Sequence, residues 1–104
     1  MTIESLRELC ADDTIAMTQH AATRLWERRI KLDEIKQAIM CGEIIESYPS
    51  DYPHPSALVL GATIAGRWIH VVCGIGGGFL WVITAYEPDA SKWEADMKTR
   101  KAAE

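Results

Sequence analysis

Three side chains that could act together on an anionic substrate, His20, Arg24 and Arg28, recur at intervals of four residues. On a helix, each step of four drifts by only about 40° around the axis, so the three would line one ridge roughly 12 Å long. Holding or cleaving a phosphodiester calls for guanidinium forks on the phosphate oxygens and an imidazole that moves a proton near neutral pH. This ridge carries both. The plainer reading of the same spacing is a solvated helix face on which Glu27 pairs with its basic neighbours.

A second candidate is His70, which stands between Ile69 and Val71 in an otherwise apolar stretch. A buried imidazole must find partners for both ring nitrogens, so it is either a catalytic group or a satisfied core histidine. His70 and Cys73 are three apart and point to opposite faces of a strand, which prevents them from sharing a metal ion. No other ligand pair has metal-site spacing, and neither a metal nor any other cofactor is expected. A third group, Thr84, Tyr86 and Glu87, closes an apolar run in Ile83-Thr84-Ala85-Tyr86-Glu87-Pro88; Thr84 and Tyr86 share a face. Gly76-Gly77-Gly78 joins two strand-like runs and opens no helix, so it reads as a hairpin turn, not as a phosphate loop. The four tryptophans, Trp26, Trp68, Trp81 and Trp93, fall one per element, a spread that suits a core or a protein interface better than base stacking.

The elements that must position these groups follow from periodicity. Ile3, Leu6 and Cys10 mark a short amphipathic helix, broken by Asp12-Asp13. Thr18 is placed to cap a second helix over about 19–29, with Ala22, Leu25 and Trp26 as its apolar stripe. Asp33 and Glu34 open a third helix ending near Cys41, with Ile35, Ala38 and Ile39 buried and Gly42 as its stop. From Glu43 the period changes to two. Strands are expected at Glu43–Tyr48, Ala57–Ile64, Arg67–Ile75 and Phe79–Tyr86, the last three as a meander. Both parities of the third and fourth are largely apolar, as in central strands covered on both faces. Pro49, Pro53 and Pro55 keep the 48–55 segment irregular. After Pro88, Asp89 as an N-cap with Trp93 and Met97 at i, i+4 predicts a terminal helix over 89–100. The expected fold is α+β: N-terminal helices on a four-stranded antiparallel meander, with a C-terminal helix.

At 104 residues, with 48% hydrophobic and 25% charged side chains, the chain suits one soluble domain and neither disorder nor two cores. It divides into a helical extension over 1–16 and a single α+β domain over 17–104. No apolar run reaches the roughly 20 residues a membrane helix needs, and the start is too polar for a signal peptide. Cys10, Cys41 and Cys73 are odd in number and form no C-x-x-C pair, which fits free thiols in the cytoplasm. The net charge is −4, yet residues 18–31 carry Arg24, Arg28, Arg29 and Lys31 against Glu27 alone. One basic element, at +3, therefore sits on a body carrying −7.

Several of these residues occur together and in order: His20-Ala21-x-x-Arg24-x-x-x-Arg28-x-Ile30, Gly42-Glu43-Ile44-Ile45, His70-Val71-Val72 and Ile83-Thr84-Ala85-Tyr86-Glu87-Pro88. From about Met17 to Trp93 the chain resembles the small bacterial domain-of-unknown-function family numbered forty-two fifty-eight, which is similar to RelE-type and MqsR-type toxins. The resemblance implies a RelE-like fold and a metal-independent ribonuclease of a toxin–antitoxin module, with a zinc-finger antitoxin and RNA as partners. In such chemistry a ribose 2′-hydroxyl attacks the adjacent phosphate. By that analogy His20 or His70 handles protons, Arg24 and Arg28 hold phosphate, and Tyr86 orients the nucleotide. The alternative is a non-catalytic interaction or structural domain, with a homodimer among its forms. There, His20 and Arg24 would bind Tyr86 or Glu87 across the helix–sheet contact and rigidify it.

Overall fold

The chain runs α1 (Ile3–Ala11), β1 (Ile15–Met17), α2 (Gln19–Glu27), α3 (Leu32–Cys41), β2 (Glu43–Tyr48), β3 (Ser56–Ala62), β4 (Trp68–Gly76) and β5 (Phe79–Tyr86). The computed structural model describes residues 1–102; the last two positions of the expected 17–104 unit lie outside the described residues. The architecture is α+β, with three helices and a five-stranded mixed sheet in the order β1-β5-β4-β3-β2. Strands β2 to β5 form the expected antiparallel meander. The fifth strand, β1, corrects the four-stranded expectation: Ile15–Met17 pairs parallel to Leu80–Val82. Three residues are too few to reveal a period, so only the partner strand defines it.

Local chemistry sets most boundaries. Thr2 caps α1 through a reciprocal pair with Ser5, and Thr18 caps α2 by accepting from the Ala21 N–H. Helix α3 starts where the Glu34 carboxylate accepts from the Lys31 N–H. It packs on β3 by close backbone approach: a Cβ on Gly61 would lie 2.0 Å from the Ala38 carbonyl oxygen, and one on Gly42 2.3 Å from the same atom. Gly42 does end α3, but in extended conformation, so close approach and not a left-handed turn selects glycine there. Gly77 and Gly78, at φ +60° and +81°, form the two-residue hairpin between Gly76 and Phe79, where positive φ is obligatory.

The core lies between the helices and one sheet face, with Leu6, Leu25, Ile35 and Ile39 against Val59, Ile69, Val71, Cys73, Leu80 and Val82. Three expectations change here. Helix α2 buries Ala21 and Leu25, while Trp26 is 84% exposed, so the stripe is rotated from Ala22-Leu25-Trp26. Strands β3 and β4 are buried almost throughout, but Phe79, Trp81 and Ile83 of β5 are exposed. The 89–100 helix does not form. The Asp89 carboxylate binds the Ser91 N–H and hydroxyl, Asp96 binds the Lys98 and Thr99 N–H groups, and Met97 takes φ +61°. These local bonds compete with a helix. The segment instead folds back on itself, bridging Trp93 to Arg100. No helix among the described residues is long and apolar enough to cross a membrane.

Candidate functional site

Because α2 buries Ala21 and Leu25, His20 and Arg24 face outward, and both are exposed. Arg24 donates to the Glu27 carboxylate at 3.2 Å, the pairing expected of a solvated face. The His20 imidazole is exposed and makes no side-chain hydrogen bond among the described residues. Arg28 behaves differently. It is the C-cap of α2, and its Nη1 donates to the Thr84 hydroxyl oxygen at 3.0 Å and the Ala85 carbonyl at 2.9 Å. The short β1 covers β5 only to Val82, so the later carbonyls of that edge lack a strand partner and Arg28 takes one.

A second arginine, which the sequence presents only as the first residue of an expected strand, secures the far side of the same helix end. Arg67 donates to the Arg28 and Arg29 carbonyls at 3.0 and 2.9 Å and pairs with Glu34 and Glu87. It satisfies orphan carbonyls at the helix C-terminus, where positive charge is favoured. The Glu34 carboxyl is held below its ordinary range, mainly by the Lys31 N–H and then by Arg67. Glu87 is therefore committed to Arg67, and Arg24 to Glu27. The His20/Arg24 contacts to Tyr86 or Glu87 expected of an internal network do not form.

His70 lies on the sheet face opposite the helices and is 0% exposed. The backbone after β5 covers it: Trp93 packs edge-on at 4.5 Å, Tyr86 edge-on at 5.3 Å from the register position opposite, and Nε2 bonds the Met97 carbonyl at 2.7 Å. A carbonyl only accepts, so Nε2 carries the proton and Nδ1 is bare. Nδ1 is buried without a partner. Burial pushes the imidazole pKa down, opposed by the Met97 bond and the Glu46 charge. Burial likewise pushes the Tyr86 phenol up. The covering segment is fastened by Arg100, which binds Glu46 in a two-pronged pair at 2.7 and 2.9 Å and lies 4.6 Å over the Trp93 ring. Lys98 adds a bond to Glu43, and the Tyr48 hydroxyl donates to Glu46 at 2.6 Å. Arg100 and then Tyr48 hold the Glu46 carboxyl below its ordinary range.

The five candidates thus divide. His20, Arg24 and Arg28 form an exposed basic edge, whereas His70 and Tyr86 form an aromatic cluster beneath the C-terminal segment, with Arg28 and Thr84 at the junction. Glu46, Tyr48, Arg67 and Arg100 complete these networks. Neither Glu46 nor Tyr48 stands out in the sequence; the period of two in Glu43–Tyr48 puts them on one strand face, but nothing local signals a partner 54 residues away. Of the four tryptophans only Trp93 is buried, which corrects the core reading; Trp26, Trp68 and Trp81 are exposed. A concavity of about 500 Å³ bordered by Gly42, Leu60, Trp68 and Lys98 includes no ridge residue. No cluster of metal-ligating side chains occurs among the described residues.

The basic residues thus lie at the end of α2 and in the turn that follows it, on an otherwise acidic α+β scaffold. Residues 17–87, more than half of the chain, match the family described as Domain of unknown function (DUF4258), and the chain belongs to that family. The match takes in the whole ridge and ends before the segment that covers His70. No curated protein and no solved structure matches the chain.

Proposed function

We propose that this is an RNA-interacting domain of the toxin–antitoxin type, resembling RelE and MqsR toxins, whose site is the exposed edge formed by His20, Arg24 and Arg28. The observation that carries the reading is Arg28. Its guanidinium is pinned by Thr84 and Ala85 at the end of β5, so one cation is preorganised beside two further exposed groups of the right chemistry. Arg24 and Arg28 bind phosphate oxygens. In the ribonuclease form of the reading, His20 accepts the 2′-hydroxyl proton, the O2′–P bond forms and the P–O5′ bond breaks. Solvent protonates the leaving oxygen, giving a 2′,3′-cyclic phosphate and a 5′-hydroxyl. His70 supports the scaffold and moves no proton, since it is enclosed and Nε2–H is committed to Met97.

The test is RNA cleavage by purified protein in a chelator, with end-group analysis, for wild type, His20→Ala and Arg24→Ala/Arg28→Ala. Cleavage to cyclic phosphate ends, lost in His20→Ala, supports the nuclease. Binding without cleavage, weakened in the arginine variant, leaves an RNA-binding domain, and no binding at all refutes the proposal. A second reading, a non-catalytic interaction domain with a homodimer or an antitoxin as partner, is favoured by Phe79, Trp81 and Ile83 exposed along β5. Light scattering that shows a dimer broken by Trp81→Ser would support it.

A further inference from the structure

On the far side of α2 from His20 and Arg24, the turn into α3 forms a ledge of about 640 Å³ lined by Leu25, Trp26, Glu27, Arg29, Ile30 and Lys31. Trp26 is 84% exposed there. Arg29 and Lys31 flank it and, like Arg28, enter no ion pair among the described residues. Arg29 stands at φ +57° in the left-handed turn that closes α2, a position that favours glycine. Its N–H bonds the Trp26 carbonyl and its own carbonyl accepts from Arg67, so the place from which its side chain projects is fixed.

We propose that this ledge is a stacking subsite for one base of single-stranded RNA, with the base on the Trp26 indole and flanking phosphates on Arg29 and Lys31. The inference rests on the RNA reading above and adds the strand form that the domain takes. Charge favours an anion: on a chain of net −4 the ledge brings Arg29 and Lys31 beside one carboxylate, Glu27, which is already paired with Arg24. Size agrees. Leu25 and Ile30 are already buried, so the apolar ground offered is a single indole, far short of the roughly 800 Å² that each partner of a stable protein pair contributes. One base covers one indole, and a base paired in a duplex is not free to stack there.

Fluorescence anisotropy of a labelled ten-nucleotide adenylate strand, titrated with the whole chain, tests the proposal. Stacking on an aromatic side chain predicts that Trp26→Ala weakens binding about 5- to 150-fold while Trp26→Phe keeps most of it. Arg29→Ala/Lys31→Ala flattens the slope of log affinity against log salt by about 1.4, at about 0.7 for each phosphate that is no longer neutralised. For a duplex of the same length Trp26→Ala changes little. Wild-type binding with Trp26→Ala within twofold of it overturns the subsite alone; no binding by the wild type overturns the RNA reading with it. A wild-type dimer that Trp26→Ala converts to monomer, with RNA affinity unchanged, shows a protein docking surface and also overturns the proposal. The indole is exposed, so the variant keeps its fold.

Discussion

Arg29→Gly should make this protein more stable. Helix α2 ends in a Schellman turn: the Ile30 N–H reaches the Leu25 carbonyl at 2.9 Å, the Arg29 N–H reaches that of Trp26 at 3.1 Å, and Leu25 and Ile30 meet in the core. Arg29 occupies the left-handed position at φ +57°, where an L side chain is disfavoured by roughly 1–2 kcal/mol. Relaxation is blocked, because both backbone groups of Arg29 are bonded. Glycine removes that strain but gives the unfolded chain more freedom, which offsets about 0.5–1 kcal/mol. The net gain is about 0.5–1 kcal/mol, or roughly 2–8 °C in Tm for a domain of this size. Arg29→Ala is the control, since it removes the same exposed side chain and keeps the strained backbone. Urea denaturation at pH 7 reads both. Arg29→Gly no more stable than Arg29→Ala would show that the turn carries no strain and would remove backbone cost as a reason to ask what the arginine side chain does.

Four further outcomes follow from the packing. Gly61→Ala sets a Cβ 2.0 Å from the Ala38 carbonyl oxygen and 2.6 Å from its Cα, all backbone, so α3 must shift at a cost of about 3 kcal/mol. Gly77→Asn, in open space with a residue that tolerates positive φ, should leave the same urea midpoint nearly unchanged. His70 has a folded pKa below its ordinary 6.5, so the unfolded chain binds the proton more readily and stability must fall as pH drops through 6.5 toward the folded value. Urea midpoints at pH 7.5 and 5.5 should show that fall in wild type and a smaller one in His70→Gln; equal falls would mean that the imidazole is not buried neutral. Among the thiols, burial pushes Cys73 up to about 12 and raises Cys10, while Cys41 is exposed. One fast thiol per native chain should react with a disulfide reagent, and Cys41→Ser should abolish it.

How far the fold could be read from the sequence depended on whether a local signal existed. The Thr18 cap, the Ile35-Ala38-Ile39 stripe and the paired glycines at 77–78 each act within a few residues, and the elements they define lie where periodicity places them. The rotation of α2 went the other way, because Trp26 satisfies the apolar period while its burial depends on what stands opposite, and nothing does. The tail misled for a related reason. Trp93 and Met97 do have helical spacing, but Trp93 packs on the His70 ring and the Met97 carbonyl accepts its proton, contacts made across the sheet at 23 and 27 residues' separation. Asp89 and Asp96 then turn the chain locally, as short acceptor side chains do. The ridge was legible in its order and spacing; the Thr84 and Ala85 anchors of Arg28, 56 and 57 residues away, were not.

The two histidines of the candidate site cannot be exchanged in any mechanism, and the reason lies in what each ring nitrogen faces. For His70 to act as a base, its free nitrogen must reach a substrate hydroxyl. That nitrogen, Nδ1, is enclosed with no partner, at a penalty of order 1–3 kcal/mol for a buried polar atom. Nε2 is the donor to Met97, so exposing the ring means lifting the segment from Trp93 to Arg100. That breaks the two-pronged Glu46 pair, the contact of Arg100 with Trp93 and the Lys98–Glu43 bond together. His20 needs no such opening, since it is exposed and unbonded one helical turn from Arg24. A ribonuclease built on this fold therefore depends on His20, and His70→Gln should keep cleavage and lose only stability. If instead His70→Gln abolished cleavage while His20→Ala did not, the segment over His70 would have to open during turnover. The catalytic edge would then be the sheet face beneath it and not the helix ridge.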